Sequence, residues 1–328
     1  MAFIKKVLVR TIILCVACAG AFAYWAREPI TDRDPVLEFT VAPGSGVGAV
    51  AQQIAAAGVP LNPTLFALLV RVTSKSAKLK AGAYELKPGT TPLRLIGQLV
   101  RGEFAQESLT IIEGWTFKQM RQTMAANAGL RHDTVALSDQ ALMARISPDF
   151  KQPEGLFFPD TYLFAKGSSD LQIFKQAHAM LLTRLAEAWS KRDPALPYSS
   201  PYQALIMASI VEKETGQKSE RNMIAGVFVN RLKIGMMLQT DPTVIYGMGE
   251  KYEGKIRKRD LETDTPYNTY TRSGLPPTPI ALPGVESLAA TLAPARTSAL
   301  YFVSRGNGTS HFSDNLPDHN RAVNQYQR

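Results

Sequence analysis

Two glutamates, Glu212 and Glu214, stand where a long apolar run gives way to charge, a setting in which a carboxylic acid can do proton chemistry. From Ala204 through Val211 only Ser209 is polar, so the run reads as a core helix whose charge begins abruptly at Glu212. A carboxyl group at such a border is half removed from water. Desolvation disfavours the charged form and raises a glutamate from its reference pKa of about 4.3, which keeps it protonated near neutral pH as a general acid. Side chains two apart on a helix point about 200° from each other, so only one of the pair can face a given cleft. The residues alone leave both candidates open.

A second polar stretch follows. Leu238 and Val244 bracket Gln239, Thr240, Asp241 and Thr243 beside an Asp-Pro turn. Such a run suits the hydrogen-bonding wall of a cleft, and it equally suits an ordinary helix cap.

The rest of the chain must hold these groups. Its 328 residues, 45% of them hydrophobic, suffice for one sizeable core and a second, smaller domain. A net charge of +9 favours an anionic partner, but no arginine-rich helix or aromatic-basic interleaving points to nucleic acid. The N-terminus carries Lys5, Lys6 and Arg10 ahead of an apolar stretch from Thr11 to Ala26, which orients the N-terminus to the cytoplasm and exports the remainder. Two readings of that segment stand: a single-pass anchor, or a signal peptide cleaved after Ala21-Phe22-Ala23. Both cysteines, Cys15 and Cys18, lie within it, so the exported part has neither a disulfide framework nor a cysteine nucleophile. His132, His178, His311 and His319 show no ligand spacing, and neither metal nor cofactor is expected; His319 reads as a packing residue.

Strand and helix signals then recur in order. Leu37–Val41 alternates like a strand, Pro43-Gly44-Ser45 turns, and Val47–Ala57 reads as a helix closed by Gly58. Gly82–Leu86, Pro88-Gly89-Thr90 and Leu93–Arg101 repeat the order, with Gly102 as the stop, and a third copy runs through Leu109–Ile112 to a helix over Phe117–Ala128. The first copy resembles a LysM unit, a small carbohydrate-binding module, although its turn lacks that module's usual aspartate. Farther on, Glu154-Gly155-Leu156-Phe157-Phe158-Pro159-Asp160-Thr161-Tyr162 concentrates aromatics around one turn, as a packed joint or a sugar-stacking wall would. Leu171–Ser190 reads as a long amphipathic helix, and Leu300–Ser304 with Thr309–Ser313 as a hairpin before a short helix through His319 and Asn320.

Taken in order, the strings IVEKETG, AGVFVNRL, LQTDPTVIYG, LETDTPYNTY, GLPPTPIALPG and HFS, with EGLFFPDTY upstream, resemble the endolytic murein transglycosylase (YceG-like) family over nearly the whole chain. The resemblance implies an α+β chain with an N-terminal membrane anchor (1–27), a linker (28–35), a LysM-like module (36–105), a connecting α+β region (106–200) and a lysozyme-like catalytic domain (201–328). It further implies a lytic transglycosylase of the inner membrane, its catalytic domain outside the cytoplasm, acting on peptidoglycan glycan strands alongside membrane peptidoglycan synthases. Lysozyme-like enzymes place their acid before a serine at the end of a buried helix. Lys213-Glu214-Thr215 resembles that pair with threonine for serine, which selects Glu214 and leaves Glu212 to a salt bridge or the helix end. Gln239, Asp241, Thr243, Tyr246, Asn268 and Tyr270 offer amide, carboxylate, hydroxyl and phenol groups suited to sugar hydroxyls and acetamido groups. Gly274–Pro277 and Ile280–Gly284 read as a proline-stiffened border of the same cleft. A non-catalytic glycan-binding scaffold and a hydrolase using Asp241 as a second carboxylate are the rival readings.

Overall fold

The computed structural model describes residues 2–32 and 36–327; the end of the expected 28–35 linker lies outside the described residues. The chain divides into two compact units, one of residues 1–107 with 163–168, the other of residues 108–162 with 169–328. Both helix and strand occur in each, and the fold is α+β.

In the first unit, helix α1 (Ala2–Trp25) runs unbroken through Lys5, Lys6 and Arg10. At 1.5 Å per residue its 24 residues reach about 36 Å, enough for a bilayer core of about 30 Å. Its last turn does not stop at a loose linker. Phe22 stacks on Trp25, Ala26 is buried, and the Ala26 carbonyl accepts from Leu93 N at 3.2 Å, so the helix end is built into the core of the unit.

That core is a two-stranded sheet covered by helices. Strand β1 (Leu37–Val41) pairs antiparallel with β2 (Gly82–Leu86), placing Phe39 opposite Tyr84 with their rings stacked at 5.5 Å. Alternation decides the inward face: Phe39, Val41, Tyr84 and Leu86 are buried and their neighbours are not. Ala42-Pro43-Gly44-Ser45 and Lys87-Pro88-Gly89-Thr90 both close as turns with glycine at φ 76°, as a proline–glycine centre requires. Helices α2 (Val47–Ala56) and α4 (Pro92–Arg101) follow where the repeat places them, the latter stopped by Gly102 in the left-handed conformation. Between the strands lies α3 (Pro63–Val72), a helix to which the repeat assigns no element. Its start is an Asn62 cap whose side chain accepts from Thr64 N and Leu65 N at 3.0 and 3.1 Å, with Pro63 in the first turn.

Strand β3 (Gln106–Thr110) pairs with β4 (Thr161–Ala165), and not with β1 or β2; the division between the units falls within this ribbon. The third strand–helix copy is therefore not a third repeat of the same sheet.

The second unit contains α5 (Phe117–Ala126), α6 (Asp139–Ile146), α7 (Asp170–Ser190), α8 (Pro201–Glu214), α9 (Arg221–Lys233), α10 (Asp241–Met248), α11 (Lys258–Glu262) and α12 (Val285–Leu292), then the hairpin β5 (Tyr301–Ser304) and β6 (Ser310–Ser313), and α13 (Leu316–Tyr326). Helix α8 is its axis. Every residue from Ala204 to Val211 is buried, because α7, α9, α10 and α12 all pack against it. Ser209, the polar exception, is satisfied twice: its hydroxyl donates to the Ile206 carbonyl at 2.7 Å and accepts from Ile280 N at 2.9 Å. Five buried residues on α8 (Ile206, Met207, Ile210, Val211 and Leu205) each contribute about 1.5–3 kcal/mol of transfer free energy, so this helix is held far more firmly than its ends. The aromatic motif is a packed joint: Phe157 is fully buried, stacked on Phe117 at 5.2 Å and edge-on to Phe174 at 5.5 Å.

Candidate active site

Burial on all sides carries α8 to its last turn, and there the two glutamates part. Glu212 turns toward α9 and α12. Its carboxylate meets Arg221 Nη2 at 3.3 Å and accepts from Gly284 N at 2.9 Å, with both side chains of the ion pair only 6% exposed. Arg221 is shared with Glu286 at 2.7 Å, so Glu212 is one corner of a closed charge network.

Glu214, the final residue of the helix, has no salt-bridge partner among the described residues. One hydrogen bond holds it: Thr240 Oγ1 donates to Glu214 Oε2 at 2.6 Å. Burial raises its pKa above the usual carboxylate range, and the neighbouring Asp241 adds to the rise; Thr240 and the more distant Arg231 oppose it without cancelling it. Thr240 is at the N-cap of α10, where a threonine hydroxyl ordinarily accepts from the first turn of its own helix. Here no such cap bond forms. The hydroxyl is committed to the acid, while Thr240 N donates to Thr269 Oγ1 at 3.1 Å.

Glu214 opens into a groove of about 910 Å³ between the end of α8, the start of α10, the β5–β6 hairpin and α13. Of the residues expected there, Gln239, Asp241 and Tyr270 line it. Gln239 has φ 48°, a left-handed backbone that costs a non-glycine residue of order 1 kcal/mol or more, and its N donates to the Thr269 carbonyl at 3.1 Å. Asp241 accepts from Tyr270 Oη at 2.6 Å, and burial together with that aspartate drives the phenol's pKa upward.

Three expected residues lie elsewhere. Thr243 is fully buried, its hydroxyl spent on the Thr240 carbonyl at 2.7 Å and on Thr269 Oγ1 at 2.9 Å; it braces the turn that presents Thr240. Asn268 is 1% exposed, donates to the carbonyls of Leu261 and Thr263 at 2.9 and 2.7 Å, and accepts from Tyr270 N, so it shapes the loop that carries Tyr270. Tyr246, a turn and a half along α10 from Asp241, faces a different cavity, where its hydroxyl donates to Glu154 Oε2 at 3.1 Å. Polarity predicted all three; only backbone direction could sort them. The proline-stiffened border is also displaced: Gly274–Pro277 lines a separate hollow with Tyr202 and Gln203, and Ile280 is tied into α8 through Ser209.

Other groove residues escaped the sequence reading. Arg231 is 6% exposed, donates to the carbonyls of Leu300 and Leu238 at 2.7 and 2.6 Å, and lies over the Tyr301 ring. Its signal was an arginine within two residues of the apolar run Val227–Val229 of α9. His319 stacks on Tyr301 at 5.1 Å and lines the groove as well as packing, with burial holding its pKa down.

The arrangement is a half-dry carboxylic acid with no ion-pair partner among the described residues, oriented through one oxygen, in an open groove walled by hydroxyl, amide, carboxylate and aromatic groups. Residues 39–325 match the YceG-like family. The chain is 32% identical over 327 residues to an endolytic murein transglycosylase of Bacillus subtilis, a match covering 94% of this chain and 90% of that protein. An endolytic murein transglycosylase of Streptococcus pneumoniae is 26% identical over 319 residues, 86% of this chain but 57% of that longer protein. Among solved structures, the 2.6 Å crystal structure of a YceG-like protein from Listeria monocytogenes superposes with a TM-score of 0.54 at 30% identity, covering 88% of this chain and 99% of the other. The buried helix, its terminal acid and the strings around them thus fall inside one continuous match, and the chain belongs to the YceG-like family.

Proposed function

We propose that this chain is an endolytic murein transglycosylase, a lyase that cuts peptidoglycan strands at interior bonds between N-acetylmuramic acid and N-acetylglucosamine, with Glu214 as its acid and base. The observation that carries the assignment is the setting of Glu214: a carboxyl group with no ion-pair partner among the described residues, raised in pKa by burial, facing a groove of about 910 Å³. Thr240 occupies Oε2, so the transferable proton rides on Oε1. Glu214 gives that proton to the bridging oxygen as the bond to C1 of the muramic acid breaks. The carboxylate then takes the proton of the same sugar's 6-hydroxyl, whose oxygen bonds to C1 and closes a 1,6-anhydro ring. No water is consumed, which is why one carboxylate suffices where ordinary glycosidases use two. Asp241 places negative charge along the same groove, where positive charge develops on the sugar; Gln239 and Tyr270 are placed for sugar hydroxyls and acetamido groups.

Residues 201–328 form the lysozyme-like catalytic part, and 36–105 a LysM-like glycan-holding module whose strand, Pro43-Gly44 turn and helix come in the order of that unit. The anchor is retained, not cleaved. The support is Phe22, which stacks on Trp25 and packs against the module's core and which cleavage after Ala23 would remove. Lys5, Lys6 and Arg10 stay cytoplasmic, the rest lies outside, and membrane peptidoglycan synthases that extend the same strands are its partners.

Mass spectrometry of purified glycan strands after digestion tests the reaction. Anhydro-muramic ends are expected; reducing ends would replace this reading with a hydrolase using Asp241, and uncut strands with a binding scaffold. Glu214→Gln is expected to lower cleavage by at least about a thousand-fold with an unchanged melting curve.

A further inference from the structure

The EGLFFPDTY joint contains a buried carboxylate that the reaction above does not use. Glu154 is 7% exposed and lies in no ion pair among the described residues. Its two oxygens are divided between two elements: Oε1 accepts from Phe117 N at the start of α5, 2.9 Å away, and Oε2 accepts from Tyr246 Oη on α10, 3.1 Å away. The next residue is wedged. Gly155 has φ 75°, and a Cβ there would collide with the Pro279 ring, so the backbone packs closely on the Pro279–Ala281 segment. Ile280 of that segment is bonded to Ser209 of α8. One joint therefore grips both helices that meet at the acid, α8 through Ser209 and α10 through Tyr246.

Helix α10 makes the connection mechanical. Its N-cap Thr240 orients the Glu214 carboxyl, and Tyr246 is fixed by Glu154 and by edge-on packing against Tyr267 at 4.8 Å. A rotation of α10 that frees Tyr246 also moves Thr240. We infer that Glu154 is a positioning residue for the catalytic acid: by accepting from Tyr246 it fixes α10 and thereby keeps the Thr240 hydroxyl on Glu214. This rests on Glu214 being the acid.

Both carboxylate oxygens accept here; a protonated acid, or a glutamine, keeps its carbonyl oxygen on Phe117 N and donates to Tyr246 Oη, since a phenol oxygen also accepts, so the tie to α10 needs a polar side chain at position 154 and not its charge. The charged and titratable groups that face Glu154 are Lys118 and Arg121 on α5, Asp139 on α6, Asp170 on α7, Tyr202 on α8 and Tyr246 on α10. Lys118 is committed to Glu250 and Arg121 to Asp139, so burial dominates and pushes Glu154 up to about 7.

The test is steady-state cleavage of glycan strands by the full-length protein for wild type, Glu154→Leu, Glu154→Gln, Tyr246→Phe, the Glu154→Leu/Tyr246→Phe double variant and Glu214→Gln. Glu154→Leu, which can neither accept nor donate, should show kcat about ten-fold lower with KM within two-fold, and Glu154→Gln should recover most of that loss. Tyr246→Phe should lose a similar factor, and the double variant no more than the larger single loss. Wild-type kcat in Glu154→Leu, a Glu154→Gln variant no better than Glu154→Leu, or multiplicative losses in the double variant would each overturn the inference; Tyr246→Phe decides it if Glu154→Leu does not fold. Activity in Glu214→Gln would instead remove the assignment of the acid, a separate failure.

Discussion

The last turn of α8 places two glutamates in opposite electrostatic worlds. On one side Glu212 is closed in by Arg221, Glu286 and Gly284 N; on the other Glu214 has a threonine hydroxyl and a groove. Both are attached to the same firmly packed helix, so the difference between them is not rigidity. It is the presence of a cation. A carboxylate ion-paired with arginine serves the fold, whereas burial without an ion-pair partner raises a carboxyl's pKa and suits it to hold a proton and pass it on.

That contrast can be broken from either side. The largest effect is expected from Glu214→Gln, which removes the chemistry and leaves the melting curve in place, as read by anhydro-end formation and calorimetry. Glu212→Ala should do the reverse. Arg221 keeps Glu286 but loses its buried partner, and Gly284 N loses its acceptor, so unfolding in denaturant should show a loss of about 3 kcal/mol, while kcat of the folded enzyme stays within a few-fold of wild type. Equal loss of kcat in both variants would erase the distinction.

Glu154 is another buried carboxyl in no ion pair among the described residues, and it has a stability signature of its own. Its folded pKa, about 7, lies above the unfolded value of 4.5, so the stability gained by protonation is complete below pH 4.5 and is lost as pH rises through 7, about 3 kcal/mol in all. Unfolding free energy measured across that window should fall in wild type and flatten in Glu154→Gln. The smallest effect should come from Thr240→Val. Loss of a donor that favours the ionised acid raises the Glu214 pKa further, moving the alkaline limb of the pH–rate profile upward, and kcat should drop about five-fold from lost orientation.

Much of the positioning machinery was legible beforehand because its signals are local. Eight consecutive core residues marked α8, the Pro-Gly turns marked the first two strand–helix units, and Gly306-Asn307-Gly308 marked the β5–β6 hairpin. Helix α3 was passed over because nothing in the repeat required it, although Asn62-Pro63 is a start signal. Thr243, Tyr246 and Asn268 were misplaced for a different reason: polarity states what a side chain can bond, and only the direction of the backbone states what it meets. Tyr246 meets Glu154, Asn268 meets four backbone groups, and Thr243 meets its own turn.

By itself the sequence determined that an acid would stand where a buried helix ends, because burial of an apolar run and the abrupt onset of charge are properties of composition and order. It could not determine which carboxylate would be left alone. That choice belongs to Arg221, nine residues from Glu212 and on another helix, and to Thr240, whose Thr-Asp-Pro context announces an ordinary cap yet whose hydroxyl turns to Glu214 instead. Pairing and desolvation act through space over a few ångströms, and the chain brings those distances about only when it folds.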